Sequence, residues 1–150
     1  YNGGYVLDEI LYATGIKNPE IASTLINLPR ALVIADSAEP KSIAEIRGFG
    51  INIQGSVKGP ESVRYGVKVI QNQKISATKN SLNVIKEYRN FFQAVDSKTN
   101  IAIPGEYDGV RHALDAIRYG ICSMISIIQR RESMMVLPRL SFKPKQNVAV

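Results

Sequence analysis

The feature that most constrains the fold is "RALVIAD", residues 30–36, a short, continuous apolar run that ends on an acid. Such a run reads as a strand buried on both faces of a sheet, a setting that needs helices packed above and below. The neighbouring sequence supplies them. Upstream, "KNPEIASTLINL" predicts a helix with Asn18 as N-cap and Pro19 at its first position. Downstream, "EPKSIAEIRGFG" predicts a second helix, closed by Gly48 or Gly50.

The alternation continues along the chain. "GGYVLDEILYAT" predicts a strand over 5–12, "INIQ" and "KISAT" two short strands, and "FQAVDSKTNIAI" a hairpin turning at Asp96–Asn100. Helices are expected from about Pro60 to Gln71, across "NSLNVIKEYRNF", and from "YDGVRHALDAIRYG" to about Ile128. Strands alternating with helices give an α/β layered domain over 1–128, followed by a basic, proline-broken tail over 129–150.

Composition narrows the function classes. The chain of 150 residues has 19 Lys and Arg against 13 Asp and Glu, a formal charge of +6, which favours a polyanionic partner. Cys122 is the single cysteine, so an internal disulfide and a cysteine-based zinc site are both excluded; its apolar surroundings predict a small buried residue. No apolar stretch approaches the ~20 residues that span a bilayer, and no signal peptide is evident. The chain opens at Tyr1 in strand-like sequence, as expected of a piece of a longer protein.

In open α/β sheets ligands gather at the carboxyl ends of strands, and Asp36 closes "ALVIAD" at such an end. Its carboxylate either caps the following helix or points into a cleft as a metal ligand. On the last helix, Val110, Ala113, Leu114, Ile117 and Ile121 form the expected buried stripe. Asp115 lies about 140° around the wheel from Val110, with His112 and Arg118 three residues to either side. Taken alone, that pattern favours a solvated polar face over one wall of a metal site. Two convergent carboxylates suit phosphodiester chemistry, in which two divalent ions ~4 Å apart activate water and steady the leaving oxygen. A third acid is expected, because hard Mg²⁺ takes oxygen ligands.

"VIADSAEPKSIAEIRGFGINIQGSVKGPESVRYGVKVIQ", followed later by "RHALDAIRYG", resembles the nuclease domain of the large terminase subunit of tailed bacteriophages, over about residues 5–126. The resemblance implies a ribonuclease H-like fold, a mixed central sheet flanked by helices. It implies a Mg²⁺- or Mn²⁺-dependent endodeoxyribonuclease that cuts concatemeric viral DNA during packaging in the host cell cytoplasm. By the same resemblance, Asp36 matches the acid ending the fourth strand, Asp115 the acid on the C-terminal helix, and His112 the histidine three residues before it. Asp36 and Asp115 are then the metal ligands, with His112 a neighbouring group or proton acceptor.

The family's first metal-binding aspartate sits on a first strand upstream of the segment matching "YVLDEILY", so that strand is expected to be missing here, and neither Asp8 nor Glu9 is expected to replace it. Nor does a G-x-x-x-x-G-K-[ST] phosphate loop occur, so the ATPase motor that precedes such nucleases is expected elsewhere in the same protein. Lys58, in "GSVKGPES" ahead of a helix start, is a candidate DNA-phosphate contact, with Arg64, Lys68 and Arg118 extending the DNA-facing surface. Arg118 is also expected to pair with Asp115 or Asp108. Double-stranded DNA, the motor domain, the portal and the small terminase subunit are the implied partners, and no membrane. The competing reading is a catalytically silent DNA-docking or regulatory module of the same fold. A junction resolvase is a third, and the "DSAEP" and "VKG" phrases count against it.

Overall fold

The computed structural model describes residues 3–59 and 62–135. Eleven elements follow in chain order: β1 (Tyr5–Leu7), α1 (Asn18–Ile26), β2 (Val33–Ala35), α2 (Pro40–Gly48), β3 (Ile53–Gly55), α3 (Ser62–Gln71), β4 (Ile75–Ala77), α4 (Leu82–Arg89), β5 (Phe92–Val95), β6 (Ala102–Asp108) and α5 (His112–Met135). Strand pairing is mixed, as expected, but among the described residues it forms three two-stranded sheets in place of one continuous central sheet. β2 pairs with β3 and β1 with β4, both in parallel, while β5 and β6 form an antiparallel hairpin. The hairpin turns where expected: the Asp96 carboxylate accepts from the N–H groups of Lys98 and Thr99, and Asn100 takes a positive φ of 54°.

The β2–α2–β3 unit carries a hydrophobic core. Ile43 and Ile46, three apart on α2, bury one face of that helix against Ile53 of β3, with Ile21 and Leu25 of α1 and Val33 and Ala35 of β2 packed around them. Each such isoleucine contributes about 2–3 kcal/mol through removal of its side chain from water. Gly50, at φ +84°, is the glycine that turns the chain out of α2; its N–H donates to the Arg47 carbonyl at 2.9 Å. The Arg47 guanidinium then reaches β3, donating to the Ile53 carbonyl at 2.9 Å.

Several expected boundaries move. β1 ends at Leu7, not Tyr12, and α1 includes Asn18, its N-cap being Lys17. The start of α3 placed at Pro60 lies outside the described residues, which resume at Ser62. Tyr107 and Asp108 belong to β6, so the last helix begins later, at His112. The cause is local. Gly109 adopts φ +100°, and a Cβ there would stand 2.5 Å from the Asn90 carbonyl oxygen, so the chain leaves the hairpin through a left-handed turn before the helix can start. Val110 consequently leaves the expected buried stripe and is 59% exposed. At its other end α5 continues past Ile128 to Met135, and the rest of the expected tail, 136–150, lies outside the described residues. α5 packs against β2, α3 and α4, so the acid-bearing strand end and the acid-bearing helix belong to one layer contact.

Candidate metal and phosphate site

Asp36 follows β2 directly. It does not cap α2, whose N-cap is Glu39; its Oδ1 instead accepts from the Ala38 N–H at 2.8 Å in the turn ahead. The same oxygen meets the Lys58 ammonium, which arrives on the loop after β3 because β2 and β3 run in parallel and both deliver their C-terminal ends to this edge. The Lys58 ammonium, with the Ala38 N–H behind it, holds the Asp36 carboxyl below the ordinary aspartate range, and the same contact raises Lys58.

Asp115, in the first turn of α5, is gripped by two arginines. Arg118 donates to its Oδ1 from Nη2 at 2.7 Å and from Nε at 3.0 Å, and Arg111 Nε stands 3.5 Å from its Oδ2. The expected pairing of Arg118 is therefore with Asp115. Its expected place on an outer surface is not what is seen: Arg118 is 6% exposed, its stem lies over Gly66 of α3, and its Nη1 donates to the Ser62 carbonyl at 3.3 Å. Gly66 is what lets α3 and α5 approach, since a Cβ there would fall 2.5 Å from Arg118 Cδ.

Tyr119 joins the two acids. Lys58 Nζ lies 4.7 Å from its ring centroid and the Arg118 guanidinium 4.5 Å, so contacts run from Asp36 through Lys58, Tyr119 and Arg118 to Asp115. The sequence reading missed Tyr119; its place one helical turn after Asp115 was the available signal. His112 is the exposed first residue of α5. Arg64 and Lys68 are exposed on α3. A cavity of about 510 Å³ opens beside the pair of arginines, lined among others by Arg89, Phe91, Arg111, Leu114, Asp115 and Arg118.

Three further carboxylates have structural work. Glu9 accepts from the N–H groups of Asn83 and Val84, both at 3.0 Å, and from the Asn83 amide at 2.6 Å, so it caps α4. Glu87, 4% exposed, accepts from Ala113 N–H at 2.8 Å, Leu114 N–H at 3.1 Å and the Tyr12 hydroxyl at 2.9 Å, and so caps α5. Asp8 accepts from the Thr78 hydroxyl. Glu87 could not be seen in the sequence, because its partners lie 26 and 27 residues away.

Among the described residues no group of three or more His, Cys, Asp or Glu side chains is gathered closely enough to hold a metal ion. The donor type is nonetheless that of a hard divalent cation, since the candidates are carboxylate oxygens and Mg²⁺ commonly takes only one or two protein carboxylates beside water and phosphate; here each carboxylate is paired with a cation of the protein itself. No helix among the described residues is long and apolar enough to cross a membrane.

No protein-family model matches the chain. It is 31% identical over 120 residues to the large terminase subunit of Bacillus phage SPP1, an alignment covering 77% of this chain and 28% of that protein. It is 38% identical over 91 residues to the PBSX phage terminase large subunit of Bacillus subtilis strain 168, covering 60% and 21%. The chain thus spans about a quarter of the length of these curated relatives. Among solved structures it matches the nuclease domain of the large terminase from bacteriophage SPP1, determined with bound Mn, at a TM-score of 0.65 and 27% identity, over 76% of this chain and 68% of that one. Sequence and architecture together make this chain a homologue of the nuclease domain of phage large terminase subunits, with the ribonuclease H-like fold expected of it.

Proposed function

We infer that the chain is the metal-dependent endonuclease domain of a phage DNA-packaging terminase, and that it hydrolyses phosphodiester bonds of concatemeric double-stranded DNA. One observation carries the reading: Asp36 at the end of β2 and Asp115 on α5 are tied through Lys58, Tyr119 and Arg118, on a fold shared with a nuclease solved with bound Mn. In this reading Asp36 and Asp115 hold Mg²⁺ or Mn²⁺. A divalent metal held there would supply a water of lowered pKa and electrostatic stabilisation for phosphodiester hydrolysis, by a two-metal route in this reading.

The chain's own groups do the rest. Arg118, anchored on Ser62, keeps the Asp115 carboxylate in one orientation and is a positioning residue rather than a DNA contact. His112, exposed at the start of α5, accepts a proton beside the scissile phosphate. Lys58, Arg64 and Lys68 meet the DNA backbone, a contact set that weakens with salt. The ATPase motor of the same protein, the portal and the small terminase subunit are the partners this role implies, in the host cell cytoplasm.

Asp115→Asn tests the assignment. Asparagine keeps the shape and removes the charge, so Mn²⁺-dependent nicking of a supercoiled plasmid is expected to vanish while the circular dichroism spectrum is unchanged; nicking at the normal rate refutes it. A silent DNA-docking module is favoured by a single observation, the absence of a three-acid group among the described residues. DNA binding with no nicking by this chain would support that second reading.

A further inference from the structure

We propose that Lys58 is a resident counter-ion of Asp36 which a divalent cation displaces, and that the released ammonium then becomes a DNA-phosphate contact. The inference rests on the metal reading of Asp36 above and adds an order of events to it.

The two acid–cation pairs of the site are built differently. Arg118 is 7% exposed in its side chain, forks onto Asp115 through Nε and Nη2, and is fastened to the Ser62 carbonyl through Nη1. It has no route out. Lys58 is 32% exposed, Asp36 is 41% exposed, and a single ammonium–carboxylate contact joins them on a loop. Solvent-exposed pairs of this kind hold weakly. Lysine is a compact charge on a flexible four-carbon stem, so its head can leave while its backbone stays.

Three further details favour exchange over simple pairing. Lys58 and the Ala38 N–H converge on the same oxygen, Oδ1, which is where an incoming cation competes. A doubly charged ion gains more from that carboxylate than a singly charged ammonium does. The ring of Tyr119, 4.7 Å from Nζ, already lies beside the ammonium, so leaving the carboxylate does not leave the charge without a favourable neighbour at the rim of the site. While it remains on Asp36, the ammonium's charge is neutralised; once displaced, it is no longer paired with a carboxylate and can meet a phosphate. Metal and DNA are thereby linked, and the linkage is reciprocal.

The test uses the whole chain with Mn²⁺ as probe in isothermal titration calorimetry. Lys58→Met is expected to bind Mn²⁺ about fivefold more tightly than the parent, the scale of an exposed ion pair no longer competing. Lys98→Met, which removes one charge from the distant β5–β6 turn, leaves the affinity unchanged. A short DNA duplex followed by fluorescence anisotropy supplies the second readout. Lys58→Met binds it like the parent in EDTA and several-fold more weakly than the parent in Ca²⁺. Unchanged or weaker Mn²⁺ binding by Lys58→Met, or an equal loss of DNA affinity with and without Ca²⁺, overturns the proposal. Asp36→Asn separates it from the reading beneath: if that variant binds Mn²⁺ as the parent does, or if no form binds Mn²⁺, the metal assignment of Asp36 fails and the exchange falls with it.

Discussion

Glu87→Ala asks whether the last helix is held in place from outside itself. The carboxylate is 4% exposed and receives the N–H groups of Ala113 and Leu114, the second and third residues of α5. Losing a cap of this kind costs about 1–2 kcal/mol, and losing its negative charge from a helix N-terminus costs about 1 more. Alanine offers no replacement acceptor and leaves two part-buried N–H groups without their partner, so the expected loss is about 2–3 kcal/mol. At the sensitivity of a domain this size, that lowers Tm by about 5–10 °C. Glu87→Gln keeps one carbonyl oxygen for the two donors and loses the charge, for about 1 kcal/mol. Urea unfolding followed by circular dichroism measures both. A second readout is specific to the geometry: the Glu87 carboxylate holds the Tyr12 phenol above its ordinary range, so in Glu87→Ala the phenolate absorbance should develop at lower pH. A Glu87→Ala loss below about 0.5 kcal/mol, the range of an inconsequential surface change, would refute the capping argument.

Gly66→Ala gains helix propensity of about 1 kcal/mol but drives a methyl to 2.5 Å from the Arg118 stem, so a net loss of about 1–2 kcal/mol is expected by urea titration. Glu9 has its carboxyl lowered from 4.5, first by the Val84 N–H, so the stability it contributes is present above that value and disappears as pH falls through the depressed one; Glu9→Gln should flatten the acid limb of a stability–pH curve. Burial raises the Cys122 thiol, so a chromogenic disulfide reagent should react slowly with the native chain at neutral pH and fully on unfolding; rapid native reaction contradicts this.

The alternation of apolar strands and amphipathic helices was legible because "RALVIAD" is an unbroken apolar run between segments of helical periodicity. Asp36 was legible for the same reason, as the polar residue that ends an apolar run. The start of α5 was not. The wheel drawn from Val110 assumed a helix through Gly109, and a left-handed glycine against the Asn90 carbonyl breaks it. Arg118 reads as a surface cation by type, yet it is buried because α3 presents a glycine to its stem and a carbonyl to its head. Tyr119 and Glu87 act across elements, and one-dimensional spacing does not record which helix will lie opposite.

The two capping glutamates give α4 a mechanical role. Glu9 grips its first turn from the segment after β1, and Glu87 near its other end grips the first turn of α5. The short helix is therefore a strut with a clamp at each end. The segment after β1 and the root of α5, far apart in the chain, are thereby fixed to one rigid element, and the helix that carries Asp115 and His112 is anchored from outside its own sequence.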